Sequence, residues 1–138
     1  MGKRAVGIVI KDNKILLIRR IKNGQEYFVF PGGSVEEGES IRDAVVREMK
    51  EELSIDIIID RLMFKISVPA NEHDLGRISY FYLIKTYKGV PKLGGPEKER
   101  MNDDNQYYPE WKNLKLIETL ENFYPEEAKN KVVKMIKK

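Results

Sequence analysis

Residues 41–53, IRDAVVREMKEEL, can hide their apolar side chains from water in one way, as a helix. At about 100° per residue, Ile41, Val45, Val46, Met49 and Leu53 share a stripe, which predicts a helix laid on a core. Ser40 marks its start, because a serine hydroxyl accepts an orphan N–H of the first turn. Asp43, three residues on, takes the capping-box position. Glu48, Glu51 and Glu52 fall within an arc of about 100° beside that stripe, with the small Ala44 among them. Each like-charge pair at i,i+3 or i,i+4 costs about 0.2–0.5 kcal/mol, and partial burial raises the cost. Either Arg42, Arg47 and Lys50 neutralise a solvated face, or a hard divalent cation draws the three carboxylates together.

The spacing of the wider stretch bears on that choice. Gly33, Glu39, Arg47-Glu48-Met49, Glu51-Glu52 and Ser54-Ile55 resemble the box of the Nudix hydrolase family. That box reads glycine, five residues, glutamate, seven residues, Arg-Glu-aliphatic, one residue, Glu-Glu, one residue, glycine-aliphatic. Every specified position matches except the last glycine, where Ser54 stands, and Phe30-Pro31-Gly32 and Glu36 also look like the family. The departure bears on how the helix ends, since glycine there would adopt positive φ most readily. The resemblance implies an α/β fold, a Nudix-type α/β/α sandwich with a mixed β-sheet packed between helices, over a single domain spanning residues 1–138. It implies Mg²⁺ or Mn²⁺ held by Glu48, Glu51, Glu52 and the Gly32 carbonyl. Arg47 would position the acids, Glu39 would pair with Arg47, Gly33 would lie against substrate, and Ile55 would be structural.

Composition removes several alternatives. The chain has 138 residues, enough to bury a core as one domain. It has no cysteine, which excludes disulfides, thiolate metal sites and cysteine nucleophiles. That also sets aside isopentenyl diphosphate isomerisation, which shares the fold but resembles enzymes with a catalytic cysteine. Reducing cytoplasm is compatible. The longest useful apolar run, residues 5–10, falls far short of the ~20 that a membrane span needs. The net charge of +3 suits polyanionic small molecules and is no argument for nucleic acid.

Taken in order, residues 3–10 read as a buried strand, 11–14 as a hairpin turn with Asp12-Asn13 central, and 15–18 as a second strand ending in Arg19-Arg20. Those arginines are either strand-end solubility or a phosphate clamp. The resemblance favours a clamp, with Arg20 slightly ahead of Arg19. Residues 21–25 read as a loop, 26–30 as a strand into the glycine turn, and 55–59, 61–68 and 77–87 as further strands. His73 falls in the loop between the last two and reads as solvated. Residues 88–105 form a long irregular stretch. Some family members supply a further acid there, and Glu97 is the candidate metal ligand or base. Residues 106–111 read as a last strand, with Trp111 as core, 115–120 as a short helix, and 126–137 as a final helix with an exposed lysine side.

The reading is hydrolysis of a pyrophosphate bond in a nucleoside di- or triphosphate derivative, a small-molecule nucleotide. The cations screen the diphosphate and activate a water; Glu48 or Glu97 takes the proton. Two alternatives stand: a Nudix module that senses a nucleotide without cleaving it, and an RNA 5′-end pyrophosphohydrolase, which would want a continuous basic groove. The substrate's base and leaving group are open, and so is a homodimer.

Overall fold

Val9 is where the chain changes sheets. Before it, β1 (Gly2–Ile8) runs in one sheet; after it, β2 (Ile10–Lys11) opens another. The expected single strand over 3–10 is therefore broken at its most buried stretch. The computed structural model describes residues 2–73, 75–95, 98 and 101–136. Asp12 and Asn13, at φ 53° and 63°, close the tight turn to β3 (Lys14–Lys22). Asn23-Gly24, at φ 51° and 78°, closes a second one to β4 (Gln25–Val29). Short polar residues and glycine tolerate this left-handed geometry. The expected loop over 21–25 is thus a two-residue hairpin, and Arg19-Arg20 lie inside β3 and not at its end.

After β4 come β5 (Gly32–Ser34), α1 (Ile41–Leu53), β6 (Asp56–Val68), β7 (Arg77–Lys88) and β8 (Asn105–Asn113), then a 3₁₀ turn (Ile117–Thr119) and α2 (Glu126–Ile136). The first sheet has the order β5-β1-β7-β6, with β1 and β7 parallel and the other pairs antiparallel. In the second, β8 runs antiparallel along β3 from Lys14 to Lys22, while β2 and β4 share its other edge. β6 joins the two strands expected over 55–59 and 61–68 into one, with register shifts near Ile58, Ile59 and Leu62. Such bulges let a long edge strand twist.

Two cores flank the sheets. Leu16, Ile18, Val45, Met49, Leu53 and Ile55 pack on the α1 side; Ile15, Leu17, Phe28, Phe81, Ala128 and Val132 pack on the α2 side. This is the α/β/α layering of a mixed-sheet fold. Burying Val45, Met49 and Leu53 stabilises α1 by about 1.5–3 kcal/mol each. The helix begins and ends where expected: Asp43 N–H donates to Ser40 Oγ at 3.1 Å, and Ser54 caps the end at φ 60°. Serine accepts the left-handed conformation at a cost of roughly 1–2 kcal/mol. The buried stripe is rotated from the expected one, since Ala44 is buried and Val46 is 41% exposed. Lys129, expected on the exposed side of the last helix, is buried, and its ammonium donates to the Leu120 carbonyl at 2.7 Å. It closes the 3₁₀ turn against α2. Lys137 lies outside the described residues. Among the described residues no helix is long and apolar enough to cross a membrane.

Candidate active site

Arg47, on α1, gathers the acids of the box. Its Nε and Nη2 donate to the two Glu39 oxygens at 2.7 and 3.0 Å, its Nη1 to Glu48 at 2.9 Å and Glu51 at 3.1 Å, and Nη2 also to the Ser34 carbonyl at 2.9 Å. Glu36 approaches to 3.6 Å. The planar five-donor fork suits so many acceptors, which an ammonium could not match. The hydrogen bond to Glu39, and then Glu48, holds the guanidinium pKa well above its ordinary value, against the opposing effect of burial.

Glu39 is held from the other side. The Arg47 hydrogen bond, then the Glu36 N–H at 3.0 Å, keep its carboxyl below the ordinary value of 4.5. The unfolded chain therefore binds the proton first as pH falls. The stability that Glu39 contributes is complete above about pH 4.5 and is lost as pH drops through its lower folded value. We expect Glu39→Gln to be less stable than the parent at pH 7 and to converge with it at strongly acid pH, as measured by denaturant midpoints across pH.

The remaining acids meet the glycine turn. Glu52 is nearly buried at 6% exposure, and one of its oxygens accepts the Gly32 N–H at 3.2 Å. Glu48 lies against Gly33 so closely that a Cβ there would collide with its carboxylate. At Gly32 a Cβ would strike the backbone of Ala5. These two glycines serve close approach. Among the described residues no three acidic side chains already converge on one point. Glu48 and Glu52 are brought to adjacent residues of β5, and Glu51 is turned to Arg47. A rim of hard carboxylate oxygens around a cradle that lacks any Cβ fits a hard divalent cation, which takes oxygen ligands and keeps several waters. Ile55 is fully buried in the α1-side core.

Residues after β7 cross the end of α1: Lys92 N–H donates to the Leu53 carbonyl at 3.0 Å and Gly94 N–H to the Glu52 carbonyl at 2.9 Å. Glu97, the expected further acid, lies outside the described residues.

The arginine pair separates by strand alternation. Leu16 and Ile18 face the α1-side core, Ile15 and Leu17 the other. Arg20 therefore shares the α1 face and Arg19 does not. Arg19 is neutralised by Glu110 at 2.8 Å and Glu26 at 3.2 Å, and the Glu110 hydrogen bond raises its pKa. Arg20 lies over Tyr107, 4.1 Å from its ring centre, and near Tyr27 at 5.5 Å. One terminal nitrogen donates to Asn105 Oδ1 at 2.7 Å, but its buried Nε–H has no hydrogen-bond partner among the described residues. An orphaned guanidinium donor points to an absent acceptor. The period of two, applied to a strand that runs through Arg19-Arg20, would have put the arginines on opposite faces. Residues 107–111 stood out in the sequence as aromatics able to stack on a base, but that Tyr107, with Tyr27 and Asn105, meets Arg20 was not legible, because they come from other strands.

Beside the glycine turn a cavity of about 420 Å³ is lined by Val6, Val29, Phe30, Ile66, Phe81 and Tyr124, with Arg4, Arg77 and Ser79 as its polar residues. Tyr27 packs edge-on to Tyr124 at 5.5 Å and lies 5.5 Å from the Arg20 guanidinium, so one ring stands between Arg20 and a residue that lines the cavity. A second cavity of about 650 Å³, lined by Val9, Tyr87 and Trp111 among others, contains none of the acids, arginines or glycines expected at the site.

A family model described as NUDIX domain matches residues 1–130. The chain is 40% identical over 94 residues to an ADP-ribose pyrophosphatase from Methanocaldococcus jannaschii, covering 67% of this chain and 56% of that protein. It is 34% identical over 107 residues to an 8-oxo-dGTP diphosphatase from Buchnera aphidicola, covering 75% of this chain and 79% of that one. The solution structure of the E. coli ORF135 protein superposes with a TM-score of 0.76 at 22% identity, over 99% of this chain and 89% of that one. The chain thus spans little more than half the length of a curated relative such as the M. jannaschii protein.

Proposed function

The chain belongs to the Nudix family, and from that premise we propose that it is a pyrophosphohydrolase of small nucleoside diphosphate derivatives, dependent on Mg²⁺ or Mn²⁺ and at work in the cytoplasm. The observation that carries the reading is the meeting of Glu48 and Glu52 with adjacent glycines of β5, braced by Arg47. Glu48, Glu51, Glu52 and the Gly32 carbonyl would hold the cation, which when bound screens the diphosphate and makes water a stronger nucleophile.

The chain's own residues supply the rest. Arg20, on the α1 face, offers its guanidinium to a phosphate oxygen, as charge-assisted donors do. The cavity behind Phe30 seats the moiety attached to the diphosphate, since Phe30 lines it and Gly32, two residues on, contacts Glu52. Water attacks one phosphorus as the anhydride oxygen leaves, and Glu48 takes the proton.

The test is release of phosphate or pyrophosphate from nucleoside triphosphates, nucleotide sugars and dinucleoside polyphosphates, with each metal and with chelator. Turnover that survives chelation, or absence of turnover across the panel with nucleotide binding intact, overturns the reading. The arginines give a sharper comparison. Losing a hydrogen bond to a charged group costs about 1.5–3 kcal/mol. Arg20→Ala therefore raises KM roughly 10- to 100-fold, while Arg19→Ala, on the other face, leaves it nearly unchanged.

A further inference from the structure

The floor of the cavity beside the glycine turn is a small grid on the first sheet. Strand register aligns Val6 with Phe81, Arg4 with Ser79 and Ile66, and Arg77 with Gly2 and Val68. Residues two apart share a face, so Val6 and Arg4 rise side by side with Phe81, Ser79 and Arg77. Phe81 packs into the α2-side core; the rows of Ser79 and Arg77 extend past it, and Tyr124 and Phe30 close the other wall. Gly2, across from Arg77, contributes no side chain to its row. The cavity is therefore apolar and aromatic near the glycine turn and carries two guanidiniums on its polar side.

That division of chemistry selects a ligand. Phe30 already packs edge-on against Phe81 at 6.1 Å, so a flat heterocycle would lie between the exposed Tyr124 and the sheet. Guanidinium groups donate and never accept, so the edge that meets them must present acceptors only. Among the nucleobases, the N7/O6 edge of guanine offers two adjacent acceptors; uracil and thymine offer a single one, O4, beside a carbon edge, the matching edge of adenine places an amino donor beside N7, and cytosine presents an amino donor. We propose that this cavity selects the guanine base, with Arg4 and Arg77 reading N7 and O6. The inference rests on the hydrolase reading for what happens to the nucleotide, and on the cavity alone for the choice of base. It has a consequence for oxidised substrates. In 8-oxoguanine N7 carries a hydrogen, which turns one of the two acceptors into a donor facing an arginine.

Equilibrium binding to the Glu52→Gln protein tests the selection without turnover, with GDP, ADP, 8-oxo-GDP and 7-deaza-GDP, which lacks the N7 acceptor, as probes. GDP is expected to bind about 10- to 100-fold more tightly than the other three. The Arg4→Ala/Arg77→Ala double variant is expected to bind all four alike, near the ADP value. Both arginines are exposed, thermal melts of the double variant check that it folds, and the 7-deaza comparison needs no variant. Equal binding of GDP and 7-deaza-GDP, or a preference that survives the double variant, overturns the inference. Metal-dependent hydrolysis indifferent to base overturns it too while the hydrolase reading stands. Guanine selection in a protein that hydrolyses nothing supports it and removes the hydrolase reading instead.

Discussion

Glu52→Gln is expected to lower kcat by about 10³-fold, the scale of removing one electrostatic group from a preorganised site, while Tm stays within about 3 °C. Glutamine keeps the shape of the side chain and an oxygen for the Gly32 N–H. It removes the negative charge. In a site meant to hold a cation and diphosphate together, that charge is the function. For folding, its removal is close to neutral, because a nearly buried carboxylate one helical turn from Glu48 is repelled by it. Steady-state kinetics beside thermal melts separate the two effects. Activity within tenfold of the parent would remove Glu52 from the centre, and a large fall in Tm would make its role structural.

Arg47→Met is expected to have the largest effect on stability. Removing one partner of a buried ion pair costs about 3–5 kcal/mol. The Arg47 side chain is 21% exposed, and solvent screening reduces the cost to about 2–3 kcal/mol, or roughly 10 °C in Tm for a chain of this size. Glu39 and Glu48, 15% and 12% exposed at the side chain, would then face each other and Glu51 with no cation between them. Two measurements identify the cause. The deficit should shrink at acid pH, where the carboxylates protonate, and Arg47→Lys should recover only part of the loss because an ammonium cannot grip Glu39 with two parallel bonds. A deficit that does not vary with pH would mean lost packing and not lost charge.

Much of this site was legible before any fold was known, because α1 is locally specified. Ser40 and Ser54 bracket it, and its ends fall where the caps put them. The spacing from Gly33 to Ile55 announced which acids belong together. The same locality made Asp12-Asn13 readable as a turn. Other expectations failed where the deciding contact lay far away in sequence. Val46 and Ala44 exchanged roles because a helical stripe is wide, and only the sheet beneath fixes its rotation. Met49 seats over Gly7, where an added Cβ would crowd its sulfur at 3.0 Å. Lys129 is buried because the carbonyls of Glu118, in the 3₁₀ turn, and of Leu120, just after it, stand ready to receive it, and no periodicity reports carbonyl positions.

The sequence by itself determined the helix, its caps, the chemistry of its acidic face and the tight turns, since each depends on residues within a few positions of one another. Tertiary structure alone decided that Glu48 and Glu52 meet adjacent glycines, that Arg20 and not Arg19 faces α1 with an open donor, and that Arg4, Ser79 and Arg77 share one wall of a cavity. These are cross-strand relations set by sheet order and register, and register depends on how the whole core packs.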